Sequence, residues 1–281
     1  MKIAICGKGG TGKSTVVALL ARGFKEMGMG AIIIDSDESN SGLHWMLGLD
    51  RRPSPLMDFV GGKKKIQGKM IAMFSRGQSE PEMSVLLQDV IHMEDIPADY
   101  IVEGDGERLI TIGKIKQSLE GCACPMGALS REFLKKLHLG TNEIAIVDME
   151  AGIEHFGRGV ESSIDAVIAV IEPSLESINL AEKIGSLTLG AGANFVGIVV
   201  NKVSSENIYE KIKGELEKRR LPILGNIPFS EGIVEACLQG QPVELAYSRD
   251  EAMKIIEKLQ TILGSAVPGQ KPPSPDPKEC D

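Results

Sequence analysis

Gly7-Lys8-Gly9-Gly10-Thr11-Gly12-Lys13-Ser14 constrains this chain more than any other stretch. It satisfies the pattern G-x-x-x-x-G-K-[ST] and stands between a short apolar run, Lys2–Cys6, and a helical pattern, Thr15–Met27. A strand that turns through glycines directly into a helix aims several backbone amides at one point, and the positive end of the helix adds to them. Such a loop is a cradle for phosphate. Lys13 is expected to reach the β- and γ-phosphates of a nucleotide, and the Ser14 hydroxyl to bind Mg2+. Gly9, Gly10, Thr11, Gly12, Lys13, Ser14 and Thr15 together form the expected nucleotide-facing set.

The strand–loop–helix theme continues along the chain. Ala31–Asp35, Glu143–Asp148, Asp165–Ile171, Phe195–Asn201 and Ile223–Ile227 are apolar runs, with helical patterns such as Leu175–Leu189 and Glu206–Arg219 between them. Strands that are apolar on both faces, separated by amphipathic helices, predict an α/β fold with a mainly parallel sheet covered on both sides. Ligands then lie at the carboxyl ends of the strands. One P-loop domain over 1–264 is expected, followed by a proline-rich, disordered tail over 265–281. The stretch Leu49–Leu119, broken by Pro53, Pro55, Gly61, Gly62, Pro81 and Pro97, reads as an irregular insertion on the ligand face or side of the sheet.

Composition narrows the partners. Asp and Glu outnumber Lys and Arg by 39 to 31, so no overall field draws the chain to nucleic acid or to anionic lipid. Aromatic residues are only 4%, which argues against stacking platforms for single strands, and Lys63-Lys64-Lys65 reads as a solvated surface run. No apolar run approaches the ~20 residues that span a bilayer, and no signal peptide is expected before the strand-like run at Lys2. Five scattered cysteines do not make a disulfide framework, which leaves the reducing cytoplasm as the expected compartment.

A second lysine inside the loop, Lys8, is unusual beside Lys13. GKGGTGKST resembles the deviant Walker A motif of the nitrogenase iron protein and of the MinD/ParA cell-division and partition ATPases, SIMIBI-type P-loop NTPases. That resemblance implies an ATP-sandwiched homodimer in which Lys8 reaches the partner's nucleotide as a trans-acting charge, much as an arginine finger does. It implies that Asp37, after Asp35-Ser36, orients the attacking water. Asp148, ending its strand, would hold Mg2+ through water, and Gly152 would sense the γ-phosphate. Asn201, Lys202 and Pro228 resemble the adenine-reading positions.

Gly121-Cys122-Ala123-Cys124-Pro125 narrows the function further. Two thiolates are too few for a closed soft-metal site, but two pairs across a two-fold axis supply four, enough for Zn2+, Ni2+ or an iron–sulfur cluster. With the phosphate loop, the Cys-x-Cys pair and Asp148-Met149-Glu150-Ala151-Gly152-Ile153-Glu154-His155-Phe156-Gly157-Arg158-Gly159, the chain resembles the CooC family. Members of that family help insert nickel into carbon monoxide dehydrogenase and the related acetyl-CoA synthase. The resemblance implies ATP/ADP and Mg2+ as cofactors, Ni2+ or Zn2+ held by Cys122 and Cys124 at the dimer interface, and one of those enzymes as client. Two other classes stay open: a MinD/ParA-type spatial regulator, and an ATP-driven iron–sulfur electron donor. Cys6 and Cys237 read as buried core thiols, and His155 as a structural hydrogen-bonding residue.

Overall fold

The computed structural model describes residues 1–37, 42–75, 85–113, 124–149 and 163–264. Runs of Ile, Val and Ala pair into one sheet: β1 (Lys2–Gly7), β2 (Gly30–Asp35), β3 (Ile101–Gly104), β4 (Glu107–Thr111), β5 (Glu143–Asp148), β6 (Ala166–Ile171), β7 (Phe195–Val203) and β8 (Ile223–Pro228). Their order across the sheet is β3-β4-β2-β5-β1-β6-β7-β8. Every neighbouring pair is parallel except β3 with β4. The α/β class and the mainly parallel sheet are as the sequence predicts.

Strand residues alternate between two cores, because successive side chains point to opposite faces. Ile3 and Ile5 of β1 enter one apolar cluster with Val16, Leu20 and Phe24, while Ala4 and Cys6 enter the other with Leu129, Phe133 and Ile184. The first cluster lies under α1 (Lys13–Glu26) and α9 (Arg249–Gly264). The second lies under α5 (Cys124–Lys136), α6 (Leu175–Gly190) and α7 (Glu206–Lys218). Burying a side chain the size of Phe24 or Phe133 stabilises by ~1.5–3 kcal/mol, so both faces contribute. Gly23 allows α1 and α9 to touch, since a Cβ there would overlap Ile256 Cδ1.

The stretch read as an irregular insertion departs from that reading. After α2 (Leu43–Met46), it contributes α3 (Leu56–Phe59) and α4 (Lys63–Ser75), and it also extends the sheet itself. β4 pairs in parallel with β2, from Ala31 opposite Glu107 to Asp35 opposite Thr111. β3 closes that edge as a hairpin through Asp105-Gly106, both with positive φ, 51° and 81°. Asp-Gly between short strands is a strong hairpin signal that the sequence reading passed over. Glu103 in β3 and the adjacent Glu107 and Arg108 in β4 break the continuous apolar pattern that marks the central strands. The remaining helix, α8 (Glu231–Gln239), lies after β8 and buries only Ala236.

Candidate functional site

β1 hands the chain to α1 through Gly7–Gly12, at the carboxyl edge of the central strands. Gly7, Gly10 and Gly12 have φ of 147°, 86° and 86°, where side chains are strained. A Cβ on Gly7 would run into the Val170 carbonyl, and one on Gly12 into the Asn201 side-chain amide. Thr11 is fully buried and folds the loop on itself, its amide and hydroxyl donating to the Lys8 carbonyl at 3.3 and 2.9 Å.

Asn201, near the end of β7 and 4% exposed, closes the loop from outside. Its Nδ2 donates to the Thr11 carbonyl at 2.9 Å, while its Oδ1 accepts from the Lys202 amide at 2.9 Å. Lys202, at φ 60°, donates from Nζ to the Gly10 carbonyl at 2.5 Å. Both residues therefore grip the loop backbone. Pro228 stands at the end of β8, opposite Val203.

Lys13 is buried at the head of α1, its Nζ 3.5 Å from the Lys8 carbonyl. The next residue, Ser14, donates its hydroxyl to Asp148 Oδ2 at 2.6 Å. Asp148 is fully buried and sits opposite Asp35 in the β2–β5 register, with the Ser36 amide donating to its carbonyl at 3.0 Å. Burial pushes the Asp148 carboxyl up to about 7, and the charges of Asp35 and Asp37 push the same way against Ser14 and Lys13. A hydroxyl and a carboxyl in contact, beside a phosphate loop and among crowded acids, are hard oxygen donors of the kind Mg2+ takes while keeping water ligands. The residues fit that ion: Ser14 and Asp148 are the groups that would hold it, directly or through water.

Lys8 ion-pairs with Glu176 Oε2 of its own chain at 2.7 Å, in the first turn of α6. That hydrogen bond raises the pKa of its ammonium. Asp37 is buried and lines a cavity of about 420 Å3 beside the loop. One wall is the loop itself, from Gly9 to Thr15; the other is Trp45, Met46, Cys237, Gly240 and Gln241. Asn201, Lys202 and Pro228 do not line it.

Cys237 corrects the expectation of a core thiol. It is exposed and faces this cavity, because on a surface helix the residue after buried Ala236 turns about 100° away from the core. Trp45 and Gln241 also escaped the sequence reading, since neither belongs to a spaced motif. Gly152, Cys122 and His155 lie outside the described residues. Cys124 opens α5, and its side chain also lies outside them. Among the described residues, no group of three or more His, Cys, Asp or Glu is placed to hold a metal ion. No helix among them is long and apolar enough to cross a membrane.

Residues 2–243 match the family model of the CobQ/CobB/MinD/ParA nucleotide binding domain. The chain is 42% identical to an uncharacterized ATP-binding protein of Methanocaldococcus jannaschii, over 92% of this chain and 99% of the relative. It is 33% identical to the carbon monoxide dehydrogenase accessory protein CooC of Rhodospirillum rubrum, over 84% of this chain and 86% of that one. In fold it is similar to the septum site-determining protein MinD of Pyrococcus horikoshii, solved with Mg-ADP. The TM-score is 0.65 at 20% identity, covering 94% of this chain and 97% of that one.

Proposed function

This chain belongs to the CobQ/CobB/MinD/ParA nucleotide-binding family, and from that premise we propose that it is an ATPase which assists nickel insertion into carbon monoxide dehydrogenase or acetyl-CoA synthase. The observation that carries this reading is the Cys122-Ala123-Cys124 pair in a chain that resembles a carbon monoxide dehydrogenase accessory protein along most of its length.

The site's chemistry joins its geometry to the roles that the family resemblance implies. The loop amides and Lys13 bind the phosphates, already held in shape by Asn201 and Lys202. Mg2+, when bound, neutralises charge that builds on the β- and γ-phosphate oxygens. Ser14 Oγ would hold that ion in place of its hydrogen bond to Asp148, and Asp148 would act on it as a carboxylate. Asp37 orients the water that attacks the γ-phosphate, and Gly152 senses that phosphate. Lys8 has to leave Glu176 to reach a partner's nucleotide, so closing a homodimer exchanges one charge contact for another.

Nucleotide biases a metal site only if that site differs between open and closed dimers. A contact that supports such coupling joins the two regions: Ser36, beside Asp37, lies with its buried Oγ 3.2 Å from Ser130 Oγ of α5, the helix that Cys124 opens. Metal cargo is held by Cys122 and Cys124 from both subunits. The test is anaerobic Ni2+ and Zn2+ titration with sedimentation, with and without ATP. One ion per two chains is expected, lost in the Cys122→Ser/Cys124→Ser double variant and dependent on nucleotide. One ion per chain, or binding that survives the double substitution, sinks the intersubunit site.

A further inference from the structure

His92 and His138 take no part in the nucleotide chemistry, yet the fold sets their rings side by side at the surface. We propose that they form a two-imidazole site for one divalent transition-metal ion of the Ni2+ or Zn2+ class, completed by water. The site depends neither on the nucleotide nor on the cysteine pair.

The main chain brings the two residues together. Ile91 forms an isolated parallel bridge with Leu137, just past the end of α5. Its amide donates to the Lys136 carbonyl at 2.9 Å, and the His138 amide donates back to the Ile91 carbonyl at 2.8 Å. Ile91 and Leu137 are both buried in the second apolar cluster. Successive residues of paired extended chains point to opposite faces, so the next residue on each side turns outward. Those residues are His92 and His138, and both are exposed.

Their spacing suits a chelate. The ring centres are 4.8 Å apart, with the planes tilted by 54°. With metal–nitrogen bonds of about 2.0–2.1 Å, two imidazoles on neighbouring positions of one ion have ring centres roughly 4.5–5 Å apart. The turn beyond His92 closes through main-chain amides and spends no ring nitrogen. The His92 amide donates to Asp95 Oδ2 at 2.8 Å, and the Asp95 amide donates to the His92 carbonyl at 3.0 Å. Lys136, beside the bridge, has its ammonium held by Glu132 and by the Leu86 carbonyl, each at 2.8 Å.

Ligand chemistry sets the ion class. Imidazole takes Zn2+, Ni2+ and Cu2+, whereas Mg2+ and Ca2+ prefer oxygen, so the pair does not compete for the ion of the phosphate loop. Among the described residues no third His, Cys, Asp or Glu joins it in a metal-holding group. Two protein ligands leave the other positions to water, which makes the ion exchangeable. α5, 13 residues and so about 20 Å long, separates this site from Cys124 at its other end.

The test is Ni2+ titration of the Cys122→Ser/Cys124→Ser chain, followed by calorimetry and by the ring-proton NMR signals of the chain's four histidines. Ni2+ is paramagnetic and broadens the protons of any imidazole it binds. One ion per chain should broaden two ring signals together, the two that are missing from the His92→Asn and His138→Asn spectra. Either single variant should bind about a hundredfold more weakly, because a lone imidazole has no second ligand on the same scaffold. Thermal unfolding of the ligand-free variants should be unchanged, since both rings are exposed. Two ions per chain, each broadening one ring, would overturn the shared site. So would the absence of binding, or binding that survives His92→Asn/His138→Asn. The intersubunit cysteine site is titrated in turn on the His92→Asn/His138→Asn chain with both cysteines present. One ion per two chains is still expected there, so the failure of either site leaves the other to be read.

Discussion

Replacing Asn201 by alanine separates two roles that the same residue could have at a phosphate site. In the structure its Nδ2 donates to the Thr11 carbonyl and its Oδ1 accepts from the Lys202 amide, each at 2.9 Å, with Asn201 and Thr11 both buried. Alanine leaves the Thr11 carbonyl without that donor, at ~1–3 kcal/mol, and the half-exposed Lys202 amide loses ~1 kcal/mol more. A total of ~2–4 kcal/mol corresponds, for a domain of this size, to a fall in Tm of roughly 5–10 °C. If about half of that cost is local to the loop, the fraction of chains with a competent loop drops. Affinity for any phosphate ligand then falls roughly tenfold. Calorimetry with Mg-ADP and with magnesium tripolyphosphate, alongside thermal unfolding of the ligand-free chain, measures all three quantities. The loop-clasp argument requires a lower Tm and equal weakening of both ligands. An unchanged Tm, with ADP alone weakened, would refute it and return Asn201 to contact with the base.

Lys13→Ala should abolish binding of Mg-ATP by equilibrium dialysis, since it removes the buried cation of the loop. Lys8→Ala should still bind ATP but fail to close the dimer, with ATP turnover down about 10³-fold, the scale of a lost transition-state charge; normal turnover and dimerisation by light scattering would remove Lys8 from the mechanism. Asp37→Asn should bind ATP and remain dimeric without hydrolysis, and normal phosphate release would reassign the residue to structure. Glu107, buried in β4 near Arg22, Lys25, Asp105 and Glu244, has its carboxyl pushed up to about 7, chiefly by burial. Between its ordinary 4.5 and about 7 the folded chain holds a proton that the unfolded chain does not. Stability from this group therefore falls as pH rises through that window, by up to ~3 kcal/mol. Glu107→Gln should flatten that part of a urea-unfolding pH profile, and an unaltered profile would show that burial does not govern the carboxyl.

Local chemistry made much of this protein legible before any coordinates. A glycine-rich turn with its lysine and serine is a contiguous device, so its place between β1 and α1 could be read from neighbouring residues alone. The central strands were equally plain, because a strand buried on both faces must be apolar at every position, as Ala166–Ile171 is. The edge was harder: β3 and β4 carry Glu103, Glu107 and Arg108, and the Asp-Gly turn between them went unread. What the sequence could not contain is which distant residues the sheet brings together. Thr11 and Asn201 meet only because β1 and β7 flank β6, and Ser14 and Asp148 only because β5 lies beside β1. Trp45 and Gly240 belong to segments nearly two hundred residues apart, each unremarkable in its own neighbourhood. Their meeting at one cavity depends on packing between elements whose sequence separation carries no local signal.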